Sequence, residues 1–360
     1  MNPWGVIRRR RLARRGLLGL SLFAAVAAAV VQPAGGASGA LSPSGLPPAN
    51  PLYPGRIILP NRNLPDPFVL ERGSHYYLYS GQTGLYAPPA SLTESTGPTI
   101  FSWGETKAVL TGVPVWAENG FTWAPDVHEV SSHDFVMYFD AWVKKSIYFD
   151  RQATGFSRRA QCIGYATATS PAGPFTPQGT SPLVCQLSHH GDIDPRTFVS
   201  PSGQLWLDWK SDDNAFRPAR RTTLWAQRLT ADGEHLRGGR SVLLTAANNS
   251  WTGGLIEAPD MVHNAGRYWL FFSGSWFNGP HYAIGIAQCK NPWGTCSLVG
   301  NKALLSSNAQ GTSPGEESIF HNKTGWWMVY SPWGIAVHSY RPVALARLAF
   351  GPRGIYLAKF

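Results

Sequence analysis

The chain has 360 residues, with 15 tryptophans, 38 glycines and 29 prolines, and only 14% of its residues are charged. Its formal net charge of +10 is concentrated at the start: six arginines precede Gly16, which leaves about +4 for the remainder. That excludes the dense basic face of a nucleic-acid binder, and an aromatic, turn-rich, charge-poor composition suits an all-β exported protein.

The first forty residues read as a signal peptide. "IRRRRLARRGLLGLSLFAAVAAAVV" has a basic start and an apolar core from Gly16 to Val31, which is short for a bilayer span. The small residues of "QPAGGASGA" place cleavage between Ala34 and Ala40; an uncleaved membrane anchor is the alternative. Arg14 and Arg15 permit twin-arginine export without establishing it, and no cysteine precedes Cys162 to carry a lipid. Residues 41–50 then form a short linker and 51–360 a single secreted domain with no membrane contact after cleavage.

Five segments follow one pattern, an apolar and aromatic run after a turn. They are "YYLYSG" from Tyr76, "FVMYFDAW" from Phe135, "LWLDWKSD" from Leu205, "YWLFFSGS" from Tyr268 and "WWMVYSPW" from Trp326, spaced by 59, 70, 63 and 58 residues. Turn residues precede each run, as in "NAGR" before Tyr268, so each unit opens with a β-hairpin. Later strands repeat as well, "CIGYATATSPAGPF" at 162–175 matching "AIGIAQCKNPWGTC" at 283–296. About sixty residues per unit leaves room for four strands, and a sheet of that size must close or cover its edges. Radial repetition does so, and predicts an all-β fold, a five-bladed β-propeller. A β-sandwich is the alternative, but it does not predict five equal units.

An even number of cysteines in an exported chain suggests two structural disulfides. Proximity favours Cys162–Cys185 and Cys289–Cys296 among three possible pairings. No C-x-x-C or neighbouring histidine supports zinc. "RPARR" at 217–221 reads as a solvated loop.

An acid stands ahead of each run. Asp66 precedes its run by ten residues, Asp126 by nine, Asp194 by eleven, Glu257 by eleven and Glu316 by ten. In a propeller the first strand of each blade lines the central channel, so these acids are expected to meet in one funnel. There they repel one another and burial raises some of their pKa values, an arrangement that costs stability and so usually has a use. Taken singly, Asp-Pro is an ordinary turn starter. Trp123 and Asp126, in "WAPD", are candidates for substrate binding, Trp123 as a platform for a sugar ring. Asp192, Asp260 and Glu317 read as structural or solvated. Two carboxylates across a sugar ring, one protonated and one ionised, are what glycoside hydrolysis needs.

These motifs in this order resemble glycoside hydrolase family 43: "LPDPFV", "TWAPDV", "DIDPRTF" and "IEAPDM", with the later "IGYATATSPAGPF" and "LWAQRLTADG". The resemblance implies a five-bladed propeller and an inverting hydrolase acting mainly on arabinofuranosides and xylosides. It implies Asp66 as general base, Glu257 as general acid, and Asp194 as the acid that orients Glu257 and modulates its pKa. No cofactor is required for that chemistry. Many members carry a histidine in the fifth blade that helps to hold a central metal ion, where this chain has Glu316 in "TSPGEES". A carboxylate there is a candidate ligand for Ca²⁺, which prefers oxygen; the alternative is a hydrogen bond to water. His338 reads as an ordinary polar strand residue.

The expected partner is a polysaccharide or oligosaccharide carrying arabinofuranosyl units. A β-xylosidase or galactofuranosidase is an alternative on the same scaffold, because loops such as 142–159 choose the sugar. A non-catalytic glycan-binding propeller is a further alternative, with no reason to keep Asp66, Asp194 and Glu257 together.

Overall fold

Each apolar run forms the second strand of an antiparallel sheet, and its hairpin partner ahead of it is the first. The computed structural model describes residues 55–59, 62–81, 93–151, 158–247, 250–307, 312–333, 341–352 and 354–359. The leader, the 41–50 linker, His338 and residues 152–157 of the 142–159 loop lie outside them. Strand β1 (Gly55–Leu59) stands alone in sequence. Blade I is β2 (Phe68–Arg72), β3 (His75–Ser80), β4 (Thr93–Gly97) and β5 (Lys107–Ala108). Blade II is β6 (Ala117–Ser131), β7 (Asp134–Val143), β8 (Gln161–Ala168) and β9 (Thr176–Pro177). Blade III is β10 (Asp192–Val199), β11 (Leu205–Ser211), β12 (Thr223–Leu229) and β13 (Leu236–Thr245). Blade IV is β14 (Ile256–Asn264), β15 (Arg267–Gly274), β16 (Ala283–Cys289) and β17 (Cys296–Leu298). Blade V is β18 (Thr312–Asn322), β19 (Gly325–Trp333), β20 (Val343–Gly351) and β21 (Gly354–Ala358). The fold is the expected five-bladed propeller.

The ring is closed by the chain itself. β1 pairs with Val343–Ala346 of β20, while β21 pairs with Arg347–Gly351 of the same strand. A strand from the start of the fold thus completes the last blade and covers an edge that would otherwise recruit another chain.

The second strands read as continuous rather than alternating apolar runs because both of their faces are buried. In β7, Phe135, Met137 and Phe139 pack toward Tyr79 of blade I, together with Val127 of their own blade. Their alternates Val136 and Tyr138 pack toward blade III with Leu207 and Trp209. Three further clusters fill the III–IV, IV–V and V–I gaps, around Leu270 and Phe272, Phe271 and Tyr330, and Val329 and Leu78. The core is therefore divided into one apolar wedge per pair of blades. Both disulfides form the pairs that proximity favours, Cys162–Cys185 and Cys289–Cys296. In the "NAGR" turn, Ala265 and Gly266 both have positive φ, 50° and 75°, the two-residue geometry that matches strand twist.

The first strands β2, β6, β10, β14 and β18 each touch the next around the whole ring. They line the channel, and the site is built at their leading ends.

Candidate active site

Four of the five first strands contain a β-bulge. The ladder slips between Trp123 and Asp126, Ile193 and Arg196, Glu257 and Asp260, and Gly315 and Ser318. Within each slip one residue has left-handed backbone: Ala124 (φ 47°), Asp194 (56°), Ala258 (50°) and Glu316 (55°); Asp66, just ahead of β2, has φ 54°. That conformation is unfavourable for a residue with a Cβ, and a bulge leaves an N–H outside the ladder. The preceding blade supplies an acceptor each time. Asp66 accepts from the Ala124 N–H, and Asp140 Oδ2 accepts from the Asp194 N–H at 3.2 Å. Asp194 Oδ2 accepts from the Ala258 N–H at 3.0 Å, and Ser273 Oγ from the Glu316 N–H at 2.9 Å. A buried donor without an acceptor is costly, so a polar side chain in one blade fixes the bulge of the next.

Oxygens of Asp194, Glu257 and Glu316 all lie within 4.8 Å of one another, and all three residues are buried. Asp66 is not part of that cluster but interacts with it electrostatically. The Tyr282 hydroxyl lies 2.7 Å from Glu257 Oε1 and 2.7 Å from Glu316 Oε1. Lys210, 1% exposed, places Nζ 3.3 Å from Glu257 Oε2 and 3.1 Å from Asp212 Oδ1. Arg341 Nη1 is 3.7 Å from Asp66 Oδ1, and its Nη2 donates to the Ser331 carbonyl at 2.8 Å. Gly81 is required beside Asp66: a Cβ there would stand 2.8 Å from Asp66 Oδ2.

Burial dominates the electrostatics. It pushes the Asp194 carboxyl up to about 7, aided by the charge of Glu257 and opposed by Lys210. Burial and then Asp194, Asp66 and Glu257 hold Glu316 well above the usual carboxylate range. Asp66 is raised by burial and drawn back by Arg341 and the Ala124 N–H. Burial opposes the charge on Lys210, but Asp212, Glu257 and Asp194 together outweigh it and raise its pKa.

Deeper in the channel lies a second polar layer. Phe68, Asp126, Arg196, Asp260 and Ser318 occupy one equivalent position, opposite Tyr79, Tyr138, Asp208, Phe271 and Val329. Arg196 stands between Asp126 (3.6 Å) and Asp260 (3.8 Å) of the flanking blades, and Asp126 Oδ2 accepts from Thr197 Oγ1 at 2.6 Å. Burial again raises Asp260, to about 7, and Glu317, to about 8; Asp192 rises to about 6.

This pattern has a sign. An acid whose folded pKa exceeds its unfolded value binds more protons when folded, so stability falls as pH rises from the unfolded value, about 4, through the folded one. With Asp192, Asp194, Asp260 and Glu317 raised to about 6, 7, 7 and 8, Tm is expected to fall continuously from about pH 5 to pH 8. A Tm that holds level or climbs over that interval in a calorimetric series contradicts the burial described.

Of the candidate residues, Asp66, Asp194, Glu257 and Glu316 come together. Asp194 and Glu316 share the bulge position with Asp66, whereas Glu257 stands one residue before its bulge residue, Ala258. Asp126 differs from expectation. It lies two residues beyond Ala124 and is fully buried against Arg196 and Thr197, where it clamps blades II and III and is shut off from substrate. The bulge adds a residue ahead of it and carries it into the deeper layer. Trp123 occupies the position equivalent to Glu257, half-buried, edge-on to Phe121, with its Cα 3.4 Å from the Cβ position of Gly81. Asp260 and Glu317, expected to be structural or solvated, are buried supports of the deeper layer. The "RPARR" loop is exposed, as expected.

Asp140, Lys210, Ser273, Tyr282 and Arg341 were not expected. Three of them had a signal. Asp140, Lys210, Ser273 and Ser331 pair with Trp123, Ile193, Glu257 and Gly315, the residues just before the four bulges. Each is a polar residue near the end of a largely apolar run, and each faces the site.

Residues 56–348 match Glycosyl hydrolases family 43. The chain belongs to this family. Family 43 members are glycoside hydrolases, and this protein is one. It is similar to the beta-D-galactofuranosidase xynD of Aspergillus niger, 23% identical over 282 residues, covering 75% of this chain and 72% of that protein. It is also similar to the extracellular endo-alpha-(1->5)-L-arabinanase 1 of Bacillus subtilis, 24% identical and covering 72% of this chain and 77% of that one. Among solved structures, a thermostable family-43 glycoside hydrolase superposes with a TM-score of 0.67 at 21% identity, covering 83% of this chain and 93% of that one.

Asp194, Glu257 and Glu316 are a group that could hold the cation that the family resemblance raises, and each already has a partner. The Tyr282 hydroxyl already engages Glu257 and Glu316, Asp194 Oδ2 holds a backbone N–H, and the Lys210 ammonium lies against Glu257. A dication bound by these carboxylates would sit beside that ammonium, and it needs several free oxygen ligands.

Proposed function

We propose that this family 43 protein is an exported, inverting hydrolase of arabinofuranosyl linkages, with Asp66 as general base and Glu257 as general acid. The observation that carries the assignment is the convergence of Asp66, from blade I, with the Asp194–Glu257–Glu316 cluster from blades III, IV and V at one end of the channel. Three carboxylates within 4.8 Å cannot all hold full charge when buried, so the cluster retains protons at neutral pH. Burial raises Asp66, but it is the acid beside a guanidinium, 3.7 Å from Arg341, whose charge draws it back toward its ionised form. A retained proton on one side and a carboxylate on the other is the division of labour that water attack at an anomeric carbon demands.

In the cycle, Asp66 takes a proton from water as the water attacks the anomeric carbon, and Glu257 gives its proton to the departing glycosidic oxygen. Asp194 acts through Glu257: by accepting from the Ala258 N–H it fixes the bulge that aims the Glu257 side chain. Lys210 then stabilises the carboxylate that Glu257 becomes. Aromatic rings flank the site. Trp123 stands on one side, while Trp276 and Phe277, 43% and 45% exposed, follow the end of β15 that pairs with Ile256. Phe277 stacks on Trp333 at 6.2 Å. Such rings suit the apolar faces of furanose units in a chain.

The arabinofuranosyl preference draws support from the endo-arabinanase relatives; the galactofuranosidase relative makes galactofuranosides the second reading. Two disulfides and extracellular relatives support export. The test is a screen of nitrophenyl arabinofuranoside, xyloside and galactofuranoside beside linear arabinan. Hydrolysis of the arabinofuranoside or arabinan is expected, and turnover of only the other two overturns the sugar assignment. Because the Lys210 ammonium already supplies positive charge against Glu257, full activity is expected to survive exhaustive chelation. Loss of activity that added Ca²⁺ restores contradicts this.

A further inference from the structure

The channel has a second mouth. The first strands carry the acids at their leading ends, and their far ends surround a cavity of about 480 Å³. Arg196 separates the two. It lies between Asp126 of blade II (3.6 Å) and Asp260 of blade IV (3.8 Å). Its Nη2 donates to the Glu317 carbonyl of blade V at 3.4 Å, and its guanidinium stands over the Phe68 ring of blade I at 5.2 Å. One side chain thus touches the other four blades and spans the channel, so the cavity is no continuation of the catalytic site.

We infer that this far mouth is a second carbohydrate site, which holds a neutral polysaccharide chain while the acids act elsewhere on the polymer. The inference rests on the proposed activity toward such polymers. The cavity has the volume of a small-ligand site, with apolar walls and a few placed polar groups. His263 and His321 line it from one equivalent position in blades IV and V, three residues beyond Asp260 and Ser318. Each imidazole leans on the aromatic residue paired with it, His263 on Tyr268 and His321 on Trp326, both at 4.7 Å. Imidazole nitrogens hydrogen-bond hydroxyls and the rings offer apolar faces, which is the combination a sugar presents in return. Arg196 and Asp260, on the floor, face each other at 3.8 Å. Neither is left over for an ion, so the cavity selects a neutral ligand.

The same face of the propeller displays Trp293, 48% exposed. Its loop joins Cys289 to Cys296, and Cys289 pairs with Tyr268 at the end of blade IV remote from Glu257. The indole is held rigidly. The disulfide closes the loop, Asn291 Oδ1 accepts from the Trp293 N–H at 3.0 Å, and the ring stacks on Trp206 at 5.3 Å. Trp206 in turn pairs with Phe198, which lines the cavity, and Val199, 49% exposed, forms the rim beside it. An exposed ring fixed in advance costs little ordering on binding, so Trp293 is a second plate for a chain that enters the cavity.

The test is affinity electrophoresis of Glu257→Gln, which leaves the polymer intact, through gels holding linear arabinan, soluble arabinoxylan or polygalacturonate. Retardation by a neutral polymer and not by polygalacturonate is expected. Added to it, Val199→Arg, which obstructs the mouth from an exposed position, and Trp293→Ala, which removes the plate, are each expected to weaken that retardation. In the active protein the same two substitutions are expected to raise KM on the polymer by about tenfold, through loss of one linked contact. The kcat/KM on a nitrophenyl glycoside, too small to reach both sites, is expected to stay within about twofold of wild type. Unchanged retardation and polymer KM in both variants, or retardation by polygalacturonate alone, overturn the second site. Equal losses on polymer and nitrophenyl glycoside overturn it too, since the rim then acts through the fold. If the wild type hydrolyses a polymer and both variants match it, the second site alone fails. If the wild type hydrolyses none of these glycans, yet a neutral polymer retards it and Val199→Arg abolishes that, the proposed activity fails and the site stands.

Discussion

Asp66→Asn is expected to lower kcat by about 10²–10⁴-fold on every substrate, whatever its leaving group, because it removes the base that takes the proton from water. The amide is close in shape to the carboxylate, and its oxygen can still accept the Ala124 N–H that Asp66 holds. The bulge of blade II is therefore retained, and Tm is expected to change little. What is lost is basicity, together with the counter-charge of Arg341 at 3.7 Å. KM is expected to stay within a few-fold of wild type, since Asp66 acts on water more than on sugar. A kcat within about tenfold of wild type, measured on purified folded variant, removes Asp66 from the base position.

Glu257→Gln is expected to give the second large effect, about 10²–10⁴-fold on polysaccharide or oligosaccharide and much less on a nitrophenyl glycoside. The contrast follows from what a general acid does: it protonates an oxygen that leaves poorly as an alkoxide and adequately as a nitrophenolate. The substitution also leaves Lys210 with Asp212 as its remaining contact carboxylate, so some loss of stability is expected too. Activity and stability must therefore be read separately, by comparing the two substrates on the same preparation. A uniform loss on both indicates a disturbed site rather than a missing acid.

The five equal units were legible because buried second strands leave an unmistakable apolar run, and those runs are β3, β7, β11, β15 and β19. The acids were legible as a group but not as a register. Asp66, Asp194 and Glu316 share one position, yet they stand ten, eleven and ten residues ahead of their runs, since hairpin lengths differ. Asp126 stands nine ahead and falls into the deeper layer. A bulge shifts register by one residue and turns a side chain from one layer to another, and counting from the hairpin cannot see it. Asp140, Lys210 and Ser273 had a visible sign, as polar interruptions near the ends of apolar runs. Tyr282 and Arg341 had none, because each lies just ahead of a third strand and reaches the site only through the folding of the blade.

The glycines at 81 and 315 carry a related lesson. Neither sits in a left-handed conformation. Each is needed because a functional side chain, Asp66 in one case and the Tyr282 ring in the other, occupies the volume that a Cβ would take. Close approach of this kind is invisible in a single sequence and plain in the structure.

The most direct measurement is the anomeric configuration of the first product, followed by proton NMR at early times, before mutarotation, on wild-type protein and an active substrate. Direct attack by a water that Asp66 activates, opposite a Glu257 that protonates the leaving oxygen, predicts a first-formed sugar of inverted configuration. A product that first appears with the configuration of the substrate means that a side chain attacked the sugar itself, and it contradicts the assignment of Asp66 as a base acting on water.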